Sequence, residues 1–387
     1  MNNGDAAAAW DVDTALRVRY LSEPDMIAAG IADMASCIDV MEEMFGLLAV
    51  DDFRMGGPAN HAHGIGVSFP KESPFPRMPL AGPDRRFMAM PAYLGGRFDM
   101  VGVKWYGSNI GNRGKGLPRS IHLVILNDKD TGAPVAIMSG NLLSAYRTGA
   151  VPGVAARHLA REDARSVAVI GPGVMNRTAL AAFLSVRPGI DSMTVLGRSR
   201  AGAERFVEDA RRAHPQLADA RIVESIADAV AEADIVSVAT SGSGAPEERP
   251  YLDGAWLKPG AFVSLPAAVR FDPGFLAGGA RLAADSVRLY EAWADELPRP
   301  YSRKVPLLGM QYMDLVADGE ISRAEIADLG GVVTGQQAGR RTDDDVVLFA
   351  VGGLPVEDVA WGTHVYRNAV SRGLGVELPL WSTPALT

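Results

Sequence analysis

The 387-residue chain has a single cysteine, Cys37, so no internal disulfide can form and a reducing compartment is the expectation. It has no apolar run approaching the roughly 20 residues of a membrane-spanning helix, and its start carries Asp5 where a secretory signal would be positive. A soluble protein of the cytoplasm follows as the expected reading. Positive charge is not in excess either. With a net charge of -8 and a pI near 5.4, the chain has no general attraction for nucleic acid or an anionic membrane, so any anionic ligand must be held by local arginines. Solenoid repeats and low-complexity tracts are absent. No metal is expected: His61 and His63 stand at i, i+2, but no Cys, Asp or Glu lies nearby at ligand spacing. What remains is 48% hydrophobic and too long for one ordinary core, which argues for two domains.

The most informative stretch runs from Arg165 to Gly197. Residues 166–170 form a short, β-branched apolar run, as a parallel strand buried on both faces requires. It ends in Gly171-Pro172-Gly173, where two glycines permit a tight turn and let backbone N–H groups approach a pyrophosphate. A helix starting near Val174 and Met175 aims its positive end at the same group. Asn176 stands where the third glycine of a dinucleotide fingerprint would be, so the motif draws its weight from context: strand before, helix after, second strand at 193–197. Further strands at 221–223, 234–239, 261–265 and 281–284 alternate with helices, which argues for a doubly wound parallel sheet. Thr240 and Ser241 after the fourth strand, Leu265 at the end of the fifth, and Thr148 complete the candidate cofactor contacts. The second strand is followed by Gly197-Arg198-Ser199-Arg200 rather than by an Asp or Glu for the ribose. Arg198 can grip a 2′-phosphate, Ser199 can donate to it and Arg200 adds charge, so NADP(H) is expected over NAD(H).

Ahead of this region, Ser22, Pro24 and Asp25 open a helix whose apolar residues, Ile27 to Leu48, recur at three- and four-residue steps as one amphipathic helix of about six turns. Residues 56–86 are rich in Gly, Pro and Arg and read as an irregular segment over the substrate-binding half. Strands are expected at 87–90, 98–106, 122–126 and 134–138, in an antiparallel or mixed sheet. A helix over 139–160 carries Arg147 and Thr148 across to the nucleotide domain. The tail, a strand at 346–350 and a helix from Pro355, is expected to return to the first domain.

Four stretches resemble the ornithine cyclodeaminase and mu-crystallin family over almost the whole chain. They are Met90-Pro91-Ala92 with Gly102-Val103-Lys104; residues 143–150, containing Arg147-Thr148-Gly149-Ala150; the glycine turn; and residues 335–341 leading to Gly353-Leu354-Pro355-Val356-Glu357-Asp358. The resemblance implies an α/β fold in which a Rossmann-type doubly wound sheet, 147–347, is inserted into a split substrate-binding and dimerisation domain formed by 1–146 and 348–387, with a homodimer as the assembly. It implies hydride transfer between a nicotinamide cofactor and the carbon bearing nitrogen in a small amino or imino acid, or in a 2-oxo acid with an amine. Lys104, Arg147 and an arginine ahead of the Met-Pro-Ala strand would then converge on the substrate carboxylate. Arg77 is the choice for the third, with Arg86 as runner-up. Lys104 would serve either as proton carrier or as fixed charge. The cyclodeaminases place a glutamate just before Met-Pro and an aspartate after the fourth Rossmann strand. Met88 and Ser241 stand there in this chain, which favours imine reduction or amine oxidation over deamination with ring closure. The alternatives are the cyclodeaminase-type lyase itself, a non-catalytic NADPH-binding protein like the mu-crystallins, and a partner protein of an amine oxidase.

Overall fold

In the computed structural model, which describes residues 14–240 and 249–386, the chain builds two eight-stranded sheets. The first contains β1 (Leu16–Leu21), β2 (Phe53–Met55), β3 (Ile65–Ser68), β4 (Arg86–Leu94), β5 (Met100–Ser108), β6 (Ser120–Asn127), β7 (Pro134–Ser139) and β16 (Val376–Trp381). Their order is β16-β1-β7-β6-β5-β4-β2, with β3 also on β4; β1 and β7 pair in parallel and the other pairs are antiparallel. Along β4 to β6 the two-residue period sends even-numbered side chains such as Met90, Lys104 and Val124 inward, while Phe87, Trp105 and Leu123 stay exposed. Helices α2 (Met34–Ala49), α3 (Asn141–Leu159) and α10 (Pro355–Ser371) share one core, with α10 laid on the inner face of β4 and β5.

Two expectations for this half are corrected. The single six-turn helix is two helices, α1 (Glu23–Ala28), with the Ser22–Asp25 capping box, and α2, because Gly30 at φ +94° turns the chain between them. The 56–86 segment is not wholly irregular, since β3 lies within it and pairs with β4 from Ile65↔Ala89 to Ser68↔Arg86.

The second sheet is parallel throughout, in the order β10-β9-β8-β11-β12-β15-β13-β14. Its strands are β8 (Ser166–Ile170), β9 (Ser192–Leu196), β10 (Asp219–Ile222), β11 (Ile235–Val238), β12 (Phe262–Leu265), β13 (Arg281–Ala284), β14 (Ile326–Asp328) and β15 (Val347–Ala350). The intervening helices include α4 (Val174–Val186), α5 (Arg200–Ala213), α6 (Ile226–Val230), α7 (Val287–Glu296), α8 (Leu308–Asp318) and α9 (Leu329–Val333). The strand expected at 346–350 was to leave with the tail. Instead β15 sits between β12 and β13, because its four side chains are all apolar and all buried, which a central parallel position satisfies. The chain therefore returns to the first sheet after Ala350 rather than at 347, through α10 and β16. Helix α3 couples the halves: a Cβ on Gly149 would lie 2.5 Å from Thr178 of α4 and one on Gly153 2.7 Å from Ala182, so glycine is what lets the two helices touch.

Candidate active site

The first turn of α10 carries Glu357 and Asp358, and its positive end favours both carboxylates. Glu357 Oε1 accepts the Leu354 N–H at 2.9 Å, which holds the turn. Lys104 reaches the same spot from β5, its Nζ 2.7 Å from Asp358 Oδ2. Arg147 arrives from α3, donating from Nε to Asp358 Oδ1 at 3.0 Å and from Nη1 to Glu357. All four are buried, with none more than 5% exposed. Two cations face two anions in a dry setting, and their titration shifts accordingly. Burial, then Arg147, lowers Lys104 to about 8. Burial raises Glu357 to about 7 despite Arg147. Asp358 resists the same burial because Arg147 and Lys104 both hold it below the usual range.

Three further groups surround this cluster. His63 donates from Nδ1 to the Gly353 carbonyl at 2.8 Å and packs 5.5 Å from Trp293; burial holds its pKa to about 4, so it is neutral. Asp285, at the end of β13, accepts the N–H groups of Gly352 at 2.6 Å, Gly353 at 2.9 Å and Ser286 at 2.8 Å, fixing the turn that presents that carbonyl. His122 on β6 meets the Tyr106 ring edge-on at 5.0 Å, is kept neutral by burial and then by Lys104, and its buried Nδ1 has no hydrogen-bond partner among the described residues. His63 was considered above only as a metal ligand; its place ahead of the Met-Pro-Ala strand, where an arginine was sought, was the available signal. His122 carried only the weak signal of an inward position on β6, and Asp285 carried none.

Of the carboxylate-binding candidates, the structure brings Lys104 and Arg147 together. Arg77 is exposed between β3 and β4 and makes no ion pair or side-chain hydrogen bond among the described residues, so it lies outside the cluster. Arg86 is on the same inner face as Lys104, its Cζ 5.9 Å from the Tyr106 ring centre while Lys104 Nζ is 5.7 Å from that centre. Met88 pairs with Tyr106 on this face and supplies no proton acceptor.

The candidate nucleotide end lies one helix away. Gly171 sits at φ +89°, and a Cβ there would come within 2.7 Å of the Ala239 carbonyl oxygen and 3.1 Å of Thr240 Cα. Gly173 caps α4 with open space where a Cβ would be, and Val174 is 65% exposed beside the partly buried Met175. Asn176, in place of the third glycine, is a staple: Nδ2 donates to the carbonyls of Ile170 at 3.0 Å and Gly171 at 2.9 Å, and Oδ1 accepts from Ser237 Oγ at 2.6 Å. Arg198 is exposed and unpaired among the described residues. Ser199 caps α5 by accepting the Gly202 N–H at 3.3 Å, which leaves its own proton free, and Arg200 pairs with Glu204 at 3.1 Å. Thr148 donates to the Ser144 carbonyl at 2.6 Å. Leu265 does not fit the role expected of it: its side chain is fully buried and its carbonyl accepts from Val351. Ser241 lies outside the described residues. A turn open at Gly173, a free helix end and a free arginine beyond the second strand fit a dinucleotide. Among the described residues, no group of three or more His, Cys, Asp or Glu is placed to hold a metal, and no helix is long and apolar enough to cross a membrane.

Comparison with known proteins supports the same reading. The model of the Ornithine cyclodeaminase/mu-crystallin family matches residues 31–373. The N-((2S)-2-amino-2-carboxyethyl)-L-glutamate dehydrogenase of Staphylococcus aureus is 28% identical over 298 residues, 76% of this chain and 82% of that protein. The alanine dehydrogenase of Archaeoglobus fulgidus is 29% identical over 293 residues, 75% of this chain and 82% of that protein. Among solved structures, the Delta(1)-pyrroline-2-carboxylate reductase of Thermococcus litoralis, in complex with NADH and L-proline, superposes with a TM-score of 0.74. It is 26% identical, and the match covers 93% of this chain and 99% of that one.

Proposed function

The chain belongs to the ornithine cyclodeaminase/mu-crystallin family, and from that premise we infer that it is an oxidoreductase using a nicotinamide cofactor on the C–N bond of a small imino or amino acid. The observation that carries this is the course of α3. Arg147 joins the buried cluster with Lys104, Glu357 and Asp358, and two residues on Gly149 packs against Thr178 of α4, the helix that the glycine turn opens. One helix thus ties the substrate-binding charges to the cofactor-binding turn.

When bound, the cofactor supplies or takes up hydride at the carbon bearing nitrogen. The protein does the rest. Arg147 uses Nε and Nη1 on Asp358 and Glu357, which leaves Nη2 for the substrate carboxylate. Lys104, lowered to about 8, exchanges a proton with the substrate nitrogen near neutral pH, and Asp358 steadies its charged form. His63 and His122 are neutral, so they line the site with polar atoms without repelling an iminium carbon. Met88 lacks the proton-accepting group that ring closure with loss of ammonia would use, which favours reduction or oxidation over the lyase reaction.

Finer features belong to the same proposal. NADP(H) is preferred because Arg198 is free and Ser199 keeps a proton to donate. A second copy of the chain covers the outer face of β4 to β6, where Phe87, Trp105, Ile121 and Leu123 are 40–49% exposed. The lone cysteine, buried and unpaired, is in keeping with the cytoplasm. The test is a panel of cyclic ketimines and of 2-oxo acids with ammonia or small amines, followed by NADPH oxidation. Turnover that disappears in Lys104→Met while NADPH binding persists is the expected result; no turnover across the panel would hand the site to the binding-protein reading.

A further inference from the structure

We propose that the site continues into a second anion subsite built by Arg86 and Arg119, and that the substrate is an imino acid carrying a further carboxylate. The inference rests on the C–N reading above for the near end of the site and on separate observations for the far end.

Register sets the layout. Inward positions of β4, β5 and β6 form successive rows: Met90, Lys104 and Val124; then Met88, Tyr106 and His122; then Arg86, Ser108 and Ser120. Rows are spaced about 6.6 Å apart, two residues of strand rise. The first row holds Lys104, at the near end of the site where Arg147 receives the α-carboxylate. The middle row is an aromatic floor, its Tyr106 ring centre 5.7 Å from Lys104 Nζ and 5.9 Å from Arg86 Cζ. A small acid lying across that ring has a cation at each end.

Charge accounting separates the two ends. Around Lys104 and Arg147, two carboxylates match two cations. At the far end a single carboxylate, Asp84, serves both arginines: Arg86 Nη1 pairs with Oδ1, and Arg119 Nε lies 2.9 Å from Oδ2, which also accepts from Ser108 Oγ at 2.5 Å. Neither guanidinium has another carboxylate partner among the described residues, so one positive charge is left over. The arrangement is built in rather than incidental. Asp84 adopts φ +56°, a left-handed conformation that few non-glycine residues take, and Ser120 Oγ donates to Ser108 Oγ at 3.1 Å behind it. The Arg119 side chain is 41% exposed, so a ligand can reach it. Arginine's planar fork with several N–H groups still free matches a carboxylate bidentately.

The test uses inert acids of equal length, so that binding is read independently of turnover. Glutarate and pentanoate are titrated calorimetrically into the full-length protein saturated with NADP+, which keeps either acid off the cofactor arginines. Glutarate should bind at least about tenfold more tightly, the contribution of one charge-assisted contact. Arg119→Gln should bring the two within about twofold, and Arg119→Lys, which keeps the charge, should retain most of the preference. Equal binding to the wild type, or a glutarate preference that survives Arg119→Gln, overturns the subsite. So would Arg86→Gln weakening both acids equally, which would return Arg86 to the α-carboxylate. A glutarate preference without any turnover on imino acids would sink the reaction reading and leave the subsite standing.

Discussion

Lys104 and Arg147 are buried and already matched by two carboxylates of the chain, whereas Arg198 stands in water with no partner among the described residues. Both regions are assigned to anions, yet they handle positive charge in opposite ways. A charge removed from water needs a resident counter-charge to be tolerated before ligand arrives; an exposed one is stabilised by solvent and can wait unpaired. On the proposed function, the buried cluster is thus part of the protein's stability as well as its chemistry, while the exposed arginine belongs to binding alone.

The largest effect that would sharpen this contrast is Arg147→Met, which leaves Glu357 and Asp358 buried against Lys104 only. A loss of about 3–5 kcal/mol in unfolding free energy is expected by denaturant titration. A loss below about 1 kcal/mol would break the comparison. Next comes Arg198→Ala, for which unfolding free energy should stay within about 0.5 kcal/mol. NADPH affinity should nonetheless fall by roughly ten- to a hundredfold and NADH affinity hardly change. Equal wild-type affinity for both cofactors would show the preference to be wrong. The smallest effect is read per pH unit. Lys104 is protonated below about 8, so turnover in the reducing direction should decline above that pH by up to about tenfold per unit, while oxidation of the amine rises. Lys104→Arg, whose side chain stays charged but does not give up its proton, should lose most turnover in both directions.

Much of the second sheet was legible because its central strands are short apolar runs buried on both faces, and because the glycines at 171 and 173 mark a turn, with a steric reason at Gly171. The break at Gly30 was not, since one glycine within a regular three- and four-residue apolar pattern does not by itself end a helix. The place of β15 was hidden for a different reason: a Val-Leu-Phe-Ala strand fits any central parallel position, and nothing local says which neighbours it takes. In the site, Lys104 and Arg147 were legible through the motifs around them. Arg77 was drawn in by its place in the chain, whereas it is His63, from the same stretch, that the fold carries into the cluster.

By itself the sequence determined the alternation of strands and helices, the glycine turn, the arginine-rich turn after β9 and the residue types able to bind a carboxylate, because each of these follows from local sterics, periodicity or side-chain chemistry. The tertiary structure decided the rest: that Glu357 and Asp358 meet Lys104 and Arg147, that Asp285 pins the Gly353 turn, and that one aspartate is shared by Arg86 and Arg119. The protonation behaviour of Lys104 was decided there too. A lysine's charge depends on how much water surrounds it and which charges stand within a few ångströms, and both are set by elements far apart in the chain.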